Sequence, residues 1–116
     1  MALKVDDRAA ICELISMHGH FCDEGELNRF DELFTDAVLY DVTDFGLEPL
    51  RGVEAIRAAA IAMGDGNPAG HHVTNTVLTE GADGQVHARS KGIGVNVDGT
   101  SGSVTYEDTL VLTDQG

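Results

Sequence analysis

Two stretches of this chain hold residue types that could do chemistry: Gly70-His71-His72-Val73-Thr74-Asn75 and, about fifty residues earlier, Phe21-Cys22-Asp23. The first reads as the start of a β-strand that brings a histidine and an asparagine onto one face. The second puts a carboxylate at the end of an amphipathic helix. A carboxylate that accepts a hydrogen bond from an imidazole fixes its tautomer, and the imidazole can then remove or deliver a proton near neutral pH. Asp23 and His71 are therefore the candidate general acid/base pair. The competing readings are structural: Asp23 as a turn or cap beside Gly25, and His71 as a buried histidine satisfied by a backbone carbonyl.

Strand alternation extends the site. His71, Val73, Asn75 and Val77 share one face, and His72, Thr74, Thr76 and Leu78 share the other. The first set is the more apolar and is placed inward, with Asn75 deeper than His71. His72 then falls on the outer face, where a surface or subunit-contact role outweighs a peripheral role in substrate binding. Tyr106 and Asp108 share a face with Leu110, so an inward Asp108 needs a partner. Tyr40, between Val38 and Val42, is a candidate donor to a substrate carbonyl or a satisfied core tyrosine. These five residues, Tyr40, His72, Asn75, Tyr106 and Asp108, form the expected substrate-binding set. His18 and Cys22, four apart on one helix face, are a single pair, which is too few ligands for a metal site.

The elements that must carry these residues follow from periodicity. Asp6-Asp7 caps a helix over 6–22 with a stripe of Ile11, Leu14, Ile15, His18 and Cys22. Gly25 ends it, and a short second helix over 26–34 carries Leu27, Phe30, Leu33 and Phe34. A strand over 37–43, a Gly-Leu-Glu-Pro loop and a third helix from Gly52 to about Met63 come next. The Gly-rich segment 64–70 reads as a lid or loop, without the Lys of a phosphate-binding loop. Strands over 71–80, 85–97 and 101–113 are divided by Asp-Gly turns. The fold class is α+β, one domain over 1–116, with Gly92 and Gly94 expected to bulge or bend a long strand.

Composition narrows the partners. A net charge of −13 opposes nucleic acid and anionic membranes, which need clustered Lys and Arg. No apolar run approaches the ~18 residues of a membrane span, and the N-terminus has no apolar signal segment, so a cytoplasmic location is expected. Cys12 and Cys22, ten residues apart on one helix, stand roughly 15 Å apart, beyond the ~7 Å that a disulfide allows. Both are expected to be reduced.

Five local patterns in order resemble the SnoaL-like branch of the nuclear transport factor 2-like (NTF2-like) superfamily. They are Asp23-Glu24-Gly25-Glu26-Leu27, Leu33-Phe34-Thr35-Asp36-Ala37-Val38, Arg51-Gly52-Val53-Glu54-Ala55-Ile56, His71-His72-Val73-Thr74-Asn75 and Tyr106-Glu107-Asp108-Thr109-Leu110-Val111. The resemblance implies a cone-shaped fold, with three N-terminal helices packed on a strongly curved, mostly antiparallel sheet, often dimeric through that sheet. It also implies a chain lacking the family's Trp-Arg-Ile-like C-terminal strand end. Relatives include polyketide cyclases, scytalone dehydratase, steroid isomerases and limonene epoxide hydrolases, and most need neither metal nor organic cofactor. The function so implied is a cofactor-independent lyase or isomerase (dehydratase, cyclase or ketosteroid-isomerase-like) acting on a hydrophobic oxygenated small molecule. The alternative is a non-catalytic binding or assembly module of the same fold. Third is an epoxide hydrolase drafting Asp23, Asp108 and Arg89, which requires Arg89 inside the cone.

Overall fold

The computed structural model describes residues 3–41, 48–63, 68–81 and 85–111. Helix α1 spans Val5–Asp23. The Asp7 carboxylate accepts the Lys4 backbone N–H at 3.3 Å, so Asp7 closes the first turn from inside while Lys4 holds the cap position. Gly25, at φ 71°, ends the helix, and the Glu26 N–H returns to the Phe21 carbonyl at 2.8 Å. The expected second helix is a six-residue 3-10 helix, Leu27–Glu32. A segment this short is satisfied by bonds to the third residue back, and it closes with Leu33 N–H on the Phe30 carbonyl at 3.0 Å.

Strand β1 is only Leu39–Tyr40, shorter than expected, and pairs antiparallel with β2, Leu50–Arg51, in a stretch read from sequence as loop. Val42 and the Gly-Leu-Glu-Pro turn lie partly or wholly outside the described residues. Helix α2 covers Val53–Met63, and strands β3 (Gly70–Glu80), β4 (Val86–Val95) and β5 (Ser101–Leu110) form a separate antiparallel sheet in the order β3-β4-β5. The described residues thus form an α+β arrangement of two α-helices, one 3-10 helix and two sheets, rather than three helices on one sheet.

The core lies where α1, the 3-10 helix and α2 meet. Phe21, Phe30, Val53 and Ile56 are buried there, with Met17, Leu27, Phe34, Val38, Tyr40 and Leu50 packed around them. Arg57 ties α2 to the 3-10 helix. Its Nε donates to the Leu27 carbonyl at 2.9 Å, and its guanidinium pairs with Asp31 and Glu54. On the sheet, Ala88, Ser90 and Gly92 of β4 point inward and are buried, while His87, Arg89, Lys91 and Ile93 are exposed.

Two glycine expectations are corrected by packing. The sheet irregularity lies on β3, not at Gly92 or Gly94. Thr74 pairs with Lys91 and Val77 with Arg89, so Asn75 and Thr76 together oppose Ser90, and Asn75 adopts φ 57°. Gly92 is instead required by contact, because a Cβ there would stand 2.3 Å from the Tyr106 ring. The Asp98-Gly99 turn behaves as read, with Gly99 at φ 88° and the Asp98 carboxylate accepting from the Thr100 N–H and hydroxyl at 2.9 and 2.6 Å.

Gly19 sets the distance between α1 and β3. It is buried, and a Cβ on it would sit 2.9 Å from the His71 carbonyl oxygen and 3.3 Å from the His71 Cβ. Alanine in a helix interior normally stabilises by about 1 kcal/mol over glycine, whereas overpacking costs about 1–3 kcal/mol. Gly19→Ala is therefore expected to lower stability in chemical denaturation. An unchanged or raised midpoint would show that α1 does not bear on β3 at this point.

Candidate functional site

Asp23 is the last residue of α1 and His71 the second of β3, and the close approach at Gly19 brings them together across 48 residues of chain. The Asp23 carboxylate takes two kinds of hydrogen bond from His71. The backbone N–H donates to Oδ2 at 2.9 Å and to Oδ1 at 3.1 Å, and ring Nδ1 lies 2.6 Å from Oδ1. An ionised carboxylate only accepts, so Nδ1 carries the proton and Nε2 is left as the basic nitrogen. The side chains are 20% and 25% exposed, enough for Nε2 to meet a ligand and enough burial to hold the ring.

Beside this pair is a cavity of about 440 Å³, within the ~300–1,000 Å³ usual for small-molecule sites. Leu14, Ile15 and His18 of α1 form one wall, Phe34, Val38 and Tyr40 another, and Val73, Tyr106, Asp108 and Leu110 of the larger sheet a third. His71 and Asp23 are not among its lining residues. They stand next to it: His71 is two residues before Val73 on β3, and Asp23 is five residues after His18 on α1. Of the expected substrate-binding set, Tyr40, Tyr106 and Asp108 line this cavity.

The outlying expectations divide. His72 is exposed and pairs with Ile93 on the outer sheet face, away from the cavity, so it is removed from the substrate-binding set. Asn75 is also corrected. The bulge turns it out of the His71 face, leaving it exposed in the left-handed conformation that asparagine tolerates. Val77 follows it outward, 61% exposed. Arg89 is exposed on the outer face opposite Val77 and is absent from the cavity lining, sharing instead a small cleft with Glu107 and Asp108. Cys12 and Cys22 are both free. Among the described residues no cluster of three or more His, Cys, Asp or Glu side chains is placed to hold a metal.

The residue that sequence reasoning left out is His18. It was read as part of the α1 apolar stripe, and that position is what carries it into the cavity wall. Its ring is surrounded by Phe30, Phe34, Tyr40 and Tyr106 at centroid distances of 6.0, 5.8, 6.5 and 6.5 Å. Burial pushes its pKa down to about 4, helped by the nearby His71 and opposed by Asp23, so the ring is neutral at physiological pH. Burial likewise raises the Cys22 thiol to about 11, with Asp23 adding to the shift, which keeps it protonated. The hydroxyls of Tyr40 and Tyr106 are raised by burial and then by neighbouring groups, and so remain donors. The Asp108 carboxyl is raised by burial as well.

A domain of helices and antiparallel sheet, with a carboxylate–imidazole pair beside an aromatic-walled cavity, belongs to the class of small α+β pocket proteins. The chain is a member of the SnoaL-like domain family, whose model matches residues 4–116. Solved structures agree. One similar chain is a Novosphingobium aromaticivorans protein described as a candidate aromatic ring hydroxylase, 25% identical with TM-score 0.80, the match covering 99% of this chain and 85% of that one. Another, from Catenulispora acidiphila in complex with S-DNPA, is 24% identical with TM-score 0.77, covering 97% and 87%. ActVI-ORFA from Streptomyces coelicolor is 18% identical with TM-score 0.76, covering 94% and 88%, and shares the fold. No curated protein matches the sequence at a significant level. No described helix is long and apolar enough to cross a membrane.

The neutrality of His18 has a measurable consequence. Its folded pKa of about 4 lies below the unfolded value of 6.5, so the unfolded chain binds the extra proton first. This penalty is absent above pH ~6.5, grows as pH falls, and reaches roughly 3 kcal/mol below pH ~4. Between pH ~7 and pH ~5 the wild type is expected to lose about 2 kcal/mol more stability than His18→Phe in urea denaturation. Parallel losses in the two proteins would show that His18 is not held neutral.

Proposed function

We propose that the protein is a cofactor-independent lyase or isomerase acting on a hydrophobic oxygenated small molecule, with His71 as general base and acid and Asp23 as its orienting partner. The observation that carries this reading is the double grip of Asp23 on His71, at Nδ1 and at the backbone N–H. The bond to the backbone N–H anchors the strand to the helix end. Fixing the ring as well leaves Nε2 as a base of defined direction.

In the reaction class that fits, Nε2 takes a proton α to a carbonyl. The C–H bond breaks, an N–H bond forms, and the electron pair moves onto the carbonyl oxygen as an enolate. The protonated ring then returns the proton to another carbon, or to a leaving hydroxyl as water departs. Tyr40, kept protonated by burial, would donate to the enolate oxygen, where a preorganised hydrogen bond acts on the developing charge. Asp23 balances the charge that His71 acquires.

A second reading is favoured by one feature, the position of His71 and Asp23 beside the cavity rather than in its lining. On that reading the chain binds its ligand without transforming it. The two are separated by exchange of the α-protons of 2-tetralone in D2O, followed by proton NMR. The wild type is expected to accelerate exchange, with His71→Ala and Asp23→Asn each losing about 10²–10⁴-fold. Exchange no faster than in His71→Ala, with the ketone still bound, would transfer the protein to the binding class.

A further inference from the structure

His18, Tyr40, Tyr106 and Asp108 are among the polar side chains that line the cavity. Among the described residues the buried side-chain atom without a partner is the Ser90 hydroxyl, which is not in the cavity lining. His18 stands apart from the other three. It lies on α1 one residue before Gly19, the point where the helix touches His71. Its ring meets Phe34, Tyr40 and Tyr106 edge-on and Phe30 at a tilt, contacts that fix its plane without using its nitrogens.

We propose that His18 is a ligand-contacting residue, whose imidazole hydrogen-bonds an oxygen of a ring compound seated between the aromatic walls and so selects oxygenated rings over hydrocarbon ones. The neutral ring suits this role, because it has one donor and one acceptor nitrogen and brings no charge into an apolar cavity. The proposal rests on the cavity being a ligand site, as in the function proposed above, but not on the chemistry of His71. It assigns the wall nearest the pair to recognition and leaves proton transfer to His71.

The probes are 2-naphthol and naphthalene, which share a ring system and differ by one hydroxyl that can donate or accept. Wild-type protein is expected to bind 2-naphthol about tenfold more tightly, the value of one hydrogen bond. Addition of 2-naphthol is expected to shift the His18 ring nitrogens in 15N NMR. His18→Phe, which keeps an aromatic ring and removes the nitrogens, is expected to bring the two affinities together, and His18→Gln to retain part of the preference. A preference that survives in folded His18→Phe, an unmoved His18 signal in the wild type, or failure of either probe to bind would overturn the proposal. If His18→Phe does not fold, the wild-type nitrogen shifts decide the matter alone. The same pair of affinities measured in His71→Ala separates the two readings. Lost proton exchange with an intact naphthol preference upholds the His18 contact, and a preference lost with His71 overturns it in favour of His71 as the contact.

Discussion

The hydrogen bonds from His71 to Asp23 join the two halves of this structure. One half is the helical core around Phe21 and Phe30, and the other is the β3-β4-β5 sheet. At their junction a carboxylate at a helix end holds both the backbone and the ring of the second residue of a strand. The arrangement needs α1 to stop at Asp23, which Gly25 ensures, and to lie against β3 without a side chain between, which Gly19 ensures. Half-burial of both partners strengthens the contact relative to an exposed ion pair, whose worth is typically ~0–1 kcal/mol.

The same junction orders the electrostatics of the cavity. Desolvation drives His18, Tyr40, Tyr106 and Cys22 toward their uncharged forms. Among the described residues the imidazole with a carboxylate partner is His71, beside Asp23. In a chain of net charge −13, His18, Tyr40 and Tyr106 make part of the cavity wall uncharged, with the His71–Asp23 pair at its margin. Gly92 contributes from the sheet side, since its missing Cβ lets the Tyr106 ring lie close against β4 and shape the wall.

Much of this was legible in the sequence, for local reasons. Helix α1 and its end at Gly25 follow from periodicity and a left-handed glycine, and the three long strands from alternation and Asp-Gly turns. That put Asp23 at a helix end and His71 at a strand start. Tyr40, Tyr106 and Asp108 were legible because a strand's faces alternate reliably when the strand is regular. Asn75 was not, because one extra residue in a bulge reverses every later side chain and leaves no mark on a two-residue period. His72 was already doubtful on the alternation argument, and the regular pairing with Ile93 sends it outward. His18 was hidden for another reason. A histidine in an apolar stripe looks the same whether it packs or lines a void, and the difference depends on Phe34, Tyr40 and Tyr106, which arrive from distant parts of the chain.

The central claim is that Asp23 fixes the tautomer of His71 and frees its Nε2. It is tested most directly by long-range proton–nitrogen NMR of the histidine rings in the wild type and in Asp23→Ala, at a pH where the rings are neutral. The account predicts that His71 in the wild type is the Nδ1–H tautomer, with an unprotonated Nε2, and that this preference is lost when the carboxylate is removed. An Nε2–H ring in the wild type, or a tautomer indifferent to Asp23, would contradict it.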